Sequence, residues 1–292
     1  MSFVSETDRL TTPRILRDLM TRHGFTLKKQ LGQNFLIDPY VLDAIVAASG
    51  VGGQSGVLEI GPGAGVVTRE LAARAKRVLA VEKDRALEPV LAETLAPFPN
   101  ATVQFADFLQ TDVRALWRSF EGCDAVSVVA NLPYYITTPI LFHLLDAGVN
   151  WQRIVVMVQK EVADRLSARP GGKEYGALSV AVQYHAAVQT VLRVPNTAFL
   201  PPPGVDSAVV RMDRRDPPAV VVQNERLFFQ VVRAAFATRR KTLQNALTSG
   251  LGRPKEDIQA VLAAAGIDGQ RRGETLDVRE FGCIADVLNT LS

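Results

Sequence analysis

The sequence predicts an α/β protein in which a mainly parallel sheet wrapped by helices is followed by a small all-helical domain. Three observations predict this fold class. Short apolar runs typical of buried strands alternate with helical patterns through most of the chain. A charged linker that contains two prolines interrupts the alternation at residues 213–218. Beyond this linker only helical periodicity follows.

The individual elements can be assigned in chain order. Residues 1–30 are polar and basic, and we expect a partly disordered segment with a short helix around 13–21. Asp38 followed by Pro39 is typical of a helix N-cap and first-turn proline, which predicts a helix to about Ser49. Strands are predicted at 57–60, 77–81, 102–106, 125–130, 154–158, 188–194 and 208–212. Further helices are predicted at 66–75, 160–166, 177–185, 224–247, 255–265 and 278–291. The expected division is therefore a segment 1–30, a sheet domain 31–213 and a helical domain 214–292.

Composition and cysteine content restrict the class of protein. Apolar residues make up 47% of the chain and charged residues 22%, which is normal for a globular protein with a buried core. Cys123 and Cys283 are far apart and have no His or Cys at ligand spacing, so neither a disulfide framework nor a metal site is expected. There is no apolar signal core at the N-terminus and no apolar run of membrane-spanning length. We expect a cytoplasmic protein without a metal or a membrane partner.

Polar or glycine residues follow four of the predicted strands at the point where each strand ends. They are Gly61, Glu82, Asp107 and Asn131. In an open α/β sheet, ligands bind outside the carboxyl ends of the strands. The loop after the first of these strands has the spacing G-x-G-x-G, and glycine lets a ligand approach the backbone closely. Glu82, the acid that ends the next strand, could accept hydrogen bonds from a ribose diol. Asp107 could accept a hydrogen bond from the exocyclic amine of an adenine. The pattern predicts a cofactor that contains adenosine.

The glycine spacing and the acids narrow the choice of cofactor. Gly61, Gly63 and Gly65 do not give the G-x-G-x-x-G spacing of dinucleotide-binding proteins, and the chain has no phosphate-binding G-x-x-x-x-G-K-[ST] motif. An acidic pocket without a lysine close by fits a cationic sulfonium ligand better than a polyphosphate. S-adenosylmethionine is the best candidate.

The sequence Asn131-Leu132-Pro133-Tyr134 is suited to holding the amine of a flat base. The Asn131 side-chain oxygen and the Leu132 carbonyl are two acceptors for the two N–H donors of adenine N6. Pro133 disfavours helical backbone at Leu132 and keeps that carbonyl directed outward. Tyr134 offers a stacking surface, and we expect Tyr135 to pack. The alternative for these residues alone is a turn that closes a buried strand.

A basic cluster lies in the C-terminal third of the chain. Residues 226–255 contain seven basic residues and no acid. Arg239, Arg240 and Lys241 are expected on the helix 224–247, and uncompensated positive charge favours contact with a phosphate backbone. The alternative is a solvated helix face.

Several stretches together resemble one family of enzymes. They are LGQNFLID at 31–38, VLEIGPGAG at 57–65, VEKD at 81–84, NLPYY at 131–135, MVQKEVA at 157–163, YGALS at 175–179, FLPPPGVDS at 199–207 and RRKTL at 239–243. In this order and spacing, from about residue 25 to the end, they resemble the small-subunit rRNA adenine N6-dimethyltransferases (the KsgA/RsmA family). The resemblance implies a Rossmann-like class I S-adenosylmethionine methyltransferase sheet with a helical, RNA-binding C-terminal domain.

The resemblance also implies roles for particular residues. Asn34 and Leu36 would border the cofactor from the N-terminal segment. The other cofactor-binding residues would be Gly61, Gly63, Glu82, Asp107 and Asn131. Phe199 would stack on the second face of the target base, although a core role for this ring is the alternative. The implied substrate is a pair of adjacent adenosines in the 3′-terminal hairpin loop of 16S rRNA, dimethylated in the small subunit or its precursor, and the default oligomeric state is a monomer.

Two other functions compete with this interpretation. One is a large-subunit rRNA adenine methyltransferase of the macrolide-resistance type, and the other is a non-catalytic factor for ribosome assembly or transcription on the same fold. The complete motif from Asn131 to Tyr134 disfavours loss of activity.

Overall fold

The computed structural model describes residues 10–26, 32–238 and 240–291. The chain divides into two compact units, one comprising Met1–Ala163 and Gln189–Asp213 and the other Asp164–Val188 and Arg214–Ser292. The second unit therefore includes the segment 164–188, which the sequence alone assigned to the sheet domain. None of the helices in the described parts of the chain is long and apolar enough to cross a membrane.

Most of the strands join in one sheet. Their bounds are β1 Phe35–Leu36, β2 Ser55–Ile60, β3 Arg77–Glu82, β4 Ala101–Phe105, β5 Ala125–Asn131, β6 Arg153–Gln159, β7 Ala186–Val194, β8 Phe199–Leu200 and β9 Ser207–Arg214. The sheet has seven strands in the order β4-β3-β2-β5-β6-β9-β7, while β1 and β8 form a separate antiparallel pair. The five strands from β4 to β6 are parallel to one another, and β9 runs antiparallel to β6. The predicted fold class is confirmed.

The strand order places a natural ligand site beside β2. The chain runs outward from β2 through β3 to β4 and then returns to the other side of β2 as β5. Loops leave the carboxyl ends of β2 and β5 in opposite directions at such a switch point, which opens a crevice there. The residues after neighbouring strands are in contact at this edge, since Gly61 N donates to the Val81 carbonyl at 3.0 Å and Ala106 N to the Glu82 carbonyl at 2.9 Å.

The helices begin and end close to the predicted positions in most cases. Their bounds are α1 Pro13–Arg22, α2 Pro39–Ser49, α3 Val66–Ala72, α4 Glu88–Leu95, α5 Val113–Trp117, α6 Thr137–Asp146, α7 Lys160–Leu166, α8 Ala177–His185, α9 Glu225–Phe236, α10 Leu243–Leu251, α11 Lys255–Ala264 and α12 Val278–Thr290. Three of them, α4 to α6, were not predicted. The N-cap prediction for α2 is confirmed, because the Asp38 side chain accepts hydrogen bonds from Tyr40 N and Val41 N.

The prediction of a single helix over 224–247 is wrong. The chain leaves the helix after Phe236 and starts α10 at Leu243, and a Cβ placed on Gly250 would lie only 2.5 Å from Ala234 Cβ. α10 therefore packs tightly against α9, which a continuous straight helix does not allow. Phe236 and Leu243 are seven residues apart, so the apolar period continues through the break and hides it from sequence analysis.

Candidate functional site

A cavity of about 1100 Å³, open to solvent, lies at the carboxyl edge of the sheet in the first unit. Its lining includes every residue that the sequence assigned to cofactor binding or catalysis: Asn34, Leu36, Gly61, Gly63, Glu82, Asp107, Asn131, Leu132, Pro133, Tyr134 and Phe199. Residues that are far apart in the sequence thus line one cavity.

The glycine loop after β2 has a backbone that only glycine adopts without strain. Gly61, Gly63 and Gly65 have φ values of 72°, 57° and 83°. A Cβ on Gly63 would also lie 3.1 Å from the Phe35 ring. Gly63 N donates to Glu82 Oε2 at 3.2 Å, which ties this loop to the end of β3.

Glu82 is a buried acid whose carboxylate is held by backbone donors. Besides Gly63 N, it accepts a hydrogen bond from Asp84 N at 2.8 Å. Burial raises the pKa of this carboxyl above its ordinary value. The carboxylate is fixed in direction at the cavity wall, as an acceptor for a diol requires.

Glu59 is a second buried acid at the cavity, and sequence analysis did not select it. Its side chain is 3% exposed, and among the described residues Oε2 has no hydrogen-bond partner. Burial raises the pKa of this carboxyl to about 8. The sequence does contain a signal that could have identified Glu59, namely an acid inside the apolar strand Val57–Ile60. A carboxyl in a buried strand needs a partner, which can be a ligand.

Asp107 is not free, contrary to the expectation of an acidic pocket without a nearby lysine. Lys83 Nζ lies 2.9 Å from its Oδ2, and Leu109 N donates to Oδ1 at 3.0 Å. The ammonium of Lys83 holds the pKa of Asp107 below its ordinary value. Of the acids that line the cavity, Asp107 is thus paired with a lysine, whereas Glu59 and Glu82 are buried.

The Asn131 side chain has a defined orientation. Its Nδ2 donates to the Asn34 carbonyl at 3.2 Å, so the amide oxygen faces the other way as an acceptor. This contact joins the N-terminal segment to the end of β5. Leu132 N donates to the Met157 carbonyl, and the carbonyl of Pro133 accepts from Ile136 N and Thr137 Oγ1. The Leu132 carbonyl accepts none of the hydrogen bonds found among the described residues.

The two tyrosines after Pro133 differ in their surroundings. Tyr134 is half-buried, and its hydroxyl lies 2.6 Å from Ser207 Oγ. Burial raises the pKa of this phenol. Tyr135 was expected to pack, but its side chain is 55% exposed at the cavity.

Phe199 is placed at the cavity by the short strand pair. In the β1–β8 pair it lies opposite Leu36, and Leu200 lies opposite Phe35. The Phe199 ring is 2% exposed and belongs to the hydrophobic core as well as to the cavity wall. The β1–β8 pair thus places Leu36, a candidate cofactor-binding residue, opposite Phe199, the candidate for stacking on the base.

The basic cluster lies in the second unit, and the helical placement predicted for Arg240 and Lys241 is wrong. Arg240 and Lys241 are exposed in the turn between α9 and α10, and Arg239 lies outside the described residues. Lys241 Nζ contacts Ser249 Oγ at 3.3 Å. No group of three His, Cys, Asp or Glu side chains capable of holding a metal ion occurs within residues 10–26, 32–238 and 240–291.

The fold and the cavity together define a class of protein. A seven-stranded, mostly parallel sheet in which β9 is antiparallel to β6, a glycine loop after β2 and a buried acid ending β3 are features of class I S-adenosylmethionine-dependent methyltransferases.

Comparison with known proteins shows the family. The chain matches the family "Ribosomal RNA adenine dimethylase" over residues 24–288. It is 51% identical over 283 residues to "Ribosomal RNA small subunit methyltransferase A" of Bacillus licheniformis, with 96% of this chain and 97% of the relative covered, and equally similar to the protein of that name from Bacillus mycoides. The chain belongs to the ribosomal RNA adenine dimethylase family and is an enzyme that uses S-adenosylmethionine.

Solved structures show the same architecture. A dimethyladenosine transferase from Plasmodium falciparum superposes with a TM-score of 0.72 at 27% identity, covering 86% of this chain and 95% of that one. The 23S rRNA methyltransferase ErmE gives a TM-score of 0.65 at 28% identity, covering 88% and 100%.

Proposed function

We propose that this enzyme dimethylates N6 of two adjacent adenosines in the 3′-terminal hairpin loop of 16S rRNA, in the small subunit or its precursor during ribosome biogenesis. The main support is the Asn131 side chain, whose amide nitrogen is bound to Asn34 so that its oxygen is left as an acceptor beside the Leu132 carbonyl. These two acceptors match the two N–H donors of adenine N6. A cytoplasmic monomer is the simplest form of such an enzyme.

The lining of the cavity suits S-adenosylmethionine, which supplies an activated methyl group on a sulfonium when it is bound. Asn34, Leu36, Gly61, Gly63 and the carboxylate of Glu82 would hold it, together with Asn131 and Asp107. For Asp107 to accept an adenine amine, it must use a remaining lone pair or release Lys83, since both of its oxygens already have partners.

The residues from Asn131 to Tyr134, with Phe199, would act on the target base. Asn131 Oδ1 and the Leu132 carbonyl would accept hydrogen bonds from the two N–H groups of the amine. These hydrogen bonds would draw the nitrogen lone pair out of the ring. They would also stabilise the positive charge that develops on N6, which is catalysis by positioning and electrostatics. Pro133 keeps the Leu132 carbonyl outward, and Tyr134 and Phe199 would contact the base faces. The amine needs no general base before transfer, because it loses its proton only after the nitrogen becomes cationic.

A dimethylating site must accept a base that is already monomethylated. One N–H then remains for two acceptors, so the second transfer has to proceed with one of these hydrogen bonds absent. An acceptor pair made of a side chain and a backbone carbonyl meets this requirement better than two rigid backbone groups, because the Asn131 side chain can adjust.

The alternatives are less well supported. The large-subunit interpretation is compatible with the fold, since a 23S enzyme superposes on it, but the high identity over nearly the full chain is to small-subunit enzymes. A non-catalytic role alone does not require the amide acceptor and the two buried acids that line the cavity.

The test is methyl transfer from labelled S-adenosylmethionine to undermethylated small subunits, beside large subunits and naked 16S rRNA, with the product nucleosides identified by mass. We expect N6,N6-dimethyladenosine in the small-subunit reaction. Label in the large subunit would instead support the resistance-type function. Tight binding to small subunits without label in any RNA would support the non-catalytic one.

A further inference from the structure

The hydroxyl groups of Tyr134 and Ser207 form a hydrogen bond that the proposed chemistry does not explain. Their oxygens lie 2.6 Å apart, and the Ser207 side chain is 1% exposed. The two residues come from different parts of the chain. Tyr134 is the third residue after β5, whereas Ser207 is the first residue of β9.

Ser207 is a rigid anchor for this bond. Its backbone pairs with Gln159 of β6, and next to it Lys160 N donates to the Asp206 carbonyl at 3.0 Å. The preceding loop is braced as well, because Asn196 N donates to Asp206 Oδ1 at 3.0 Å and Asn196 Nδ2 to the Pro203 carbonyl at 3.1 Å. The Ser207 oxygen is therefore positioned by the sheet and by this loop.

A tyrosine side chain held at both ends keeps one position. The backbone fixes the Cβ of Tyr134 beside the acceptors of Asn131 and Leu132, and Ser207 fixes the phenol oxygen at the opposite end of the ring, so the direction of the ring axis is set. Stacking requires the ring to lie at one place beside the base, and a site held in that geometry before the substrate arrives avoids an ordering cost. A hydrogen bond at the ring tip provides this control without covering the ring face.

The same loop also carries the other aromatic candidate. Phe199 lies at its start in β8, opposite Leu36, and Ser207 lies at its end. The two rings proposed to contact the base are thus connected to one braced segment. Phe199 is connected through the backbone and Tyr134 through the hydrogen bond. The separation of the two rings depends on this segment.

We propose that Ser207 is a positioning residue for the target base, which holds the Tyr134 ring through the hydroxyl–hydroxyl hydrogen bond in the position from which it stacks on the adenine. This inference rests on the proposed function, because it needs a planar base beside Tyr134. Ser207 contacts neither the base nor the cofactor and acts only through Tyr134.

The test is a double-mutant cycle of Ser207→Ala and Tyr134→Phe, measured as kcat and KM for methylation of undermethylated small subunits. Removing either hydroxyl eliminates the same bond, so we expect each single variant to lower kcat about fivefold, with the double variant no slower than the slower single variant. The KM for small subunits and the Kd for S-adenosylhomocysteine should stay unchanged, because phosphate contacts and the cofactor residues are intact.

A matched control separates positioning from stability. Ser127 is also a buried serine of the same sheet, 2% exposed, and its hydroxyl donates to the Ser49 carbonyl at 3.1 Å, away from the cavity lining. Ser127→Ala should lower stability about as much as Ser207→Ala and leave kcat unchanged. In an RNA hairpin with 2-aminopurine at the target position, Ser207→Ala should weaken the fluorescence quenching that stacking on Tyr134 produces.

Three results would overturn the inference: wild-type kcat in Ser207→Ala, multiplication of the two single effects in the double variant, or an equal loss of kcat in Ser127→Ala. An inactive wild-type enzyme on small subunits would instead contradict the proposed function, so the two failures can be told apart.

Discussion

At the scale of single residues, the orientation of the Asn131 amide is the feature on which the chemistry depends. An amide group has a donor and an acceptor side, and only the acceptor side can bind the hydrogens of an amine. The contact from Nδ2 to the Asn34 carbonyl selects the orientation in which Oδ1 is available. In the proposed mechanism Asn34 would therefore affect catalysis through its backbone carbonyl, whatever its side chain contributes to cofactor binding.

Replacing Asn131 tests this mechanism. Asn131→Ala should nearly abolish methyl transfer, by a factor of at least about 100, because one of two acceptors for the developing charge is lost. Binding of S-adenosylhomocysteine, measured by calorimetry, should remain detectable, since the other lining residues are unchanged. Turnover at the wild-type rate would show that the Asn131 oxygen does not act on the amine.

A neighbouring side chain supplies the control for that variant. Ile136 also lines the cavity, but it presents only carbon atoms there. Ile136→Val should leave kcat within about twofold of wild type, because it removes one methylene and no acceptor. A large loss in this control would indicate that the cavity is sensitive to any change in packing.

At the scale of elements, the turn between α9 and α10 is where the structure changes the interpretation of the basic cluster. Consecutive side chains of a helix point about 100° apart around its axis, whereas exposed residues of a turn extend from the end of two packed helices. Arg240 and Lys241 are exposed at such an end. A projecting cationic turn is better suited to contact with a curved RNA backbone than a flat helix face.

Replacement of Arg239, Arg240 and Lys241 by alanine should weaken RNA binding and leave cofactor affinity unchanged. If all three contact phosphates, the slope of log K against log salt concentration should fall by about 2. Filter-binding titrations of a 16S rRNA fragment at several salt concentrations measure this slope.

The control is a second triple variant that loses the same three positive charges at another place in the chain. Lys76 lies just before β3, Arg77 is the first residue of β3, and Arg118 lies between β4 and β5, all outside the cavity lining. Their replacement by alanine should leave the salt slope unchanged. An unaltered slope in the first triple variant, or an equal decrease in both, would contradict a specific RNA contact at the turn.

At the scale of the whole molecule, the site reduces the stability of the unit that contains it. A carboxyl that is buried keeps its proton to higher pH than in the unfolded chain, and burial raises the pKa of Glu59 to about 8 in the folded protein against an ordinary value of 4.5. Between these values the folded state binds more protons than the unfolded state. Stability is therefore lost as the pH rises toward 8.

The expected effect is a decrease in the free energy of unfolding of up to about 1.4 kcal/mol per pH unit between pH 5 and pH 8. Glu59→Gln should remove this part of the pH dependence, whereas the exposed Glu121→Gln should not. Urea denaturation followed by tryptophan fluorescence reports on the correct unit, because Trp117 and Trp151 both lie in it. Parallel pH profiles for wild type and Glu59→Gln would show that Glu59 is ionised near its ordinary pKa.

Much of the fold and of the candidate site could be predicted from sequence because the signals are local. The apolar runs of β2, β5 and β6, the Asp38 N-cap and the glycine loop each specify their conformation within a few residues. The acids and amides at strand ends then meet at one edge, since parallel strands share their direction. The helices α4 to α6 were missed because they lie between strand signals and are short or begin without a strong cap.

The sequence by itself determined the fold class, the cofactor class and the family, since these depend on ordered local motifs. Only the tertiary structure decided the break between α9 and α10 and the pairing of Lys83 with Asp107. It also decided the burial of Glu59 with its Oε2 left without a hydrogen bond, and the hydrogen bond between Tyr134 and Ser207. These features depend on which distant residues come within hydrogen-bond distance and on how much water is excluded around them. A local sequence pattern contains neither the contacts between distant residues nor the extent of burial, because both arise only when separate elements pack together.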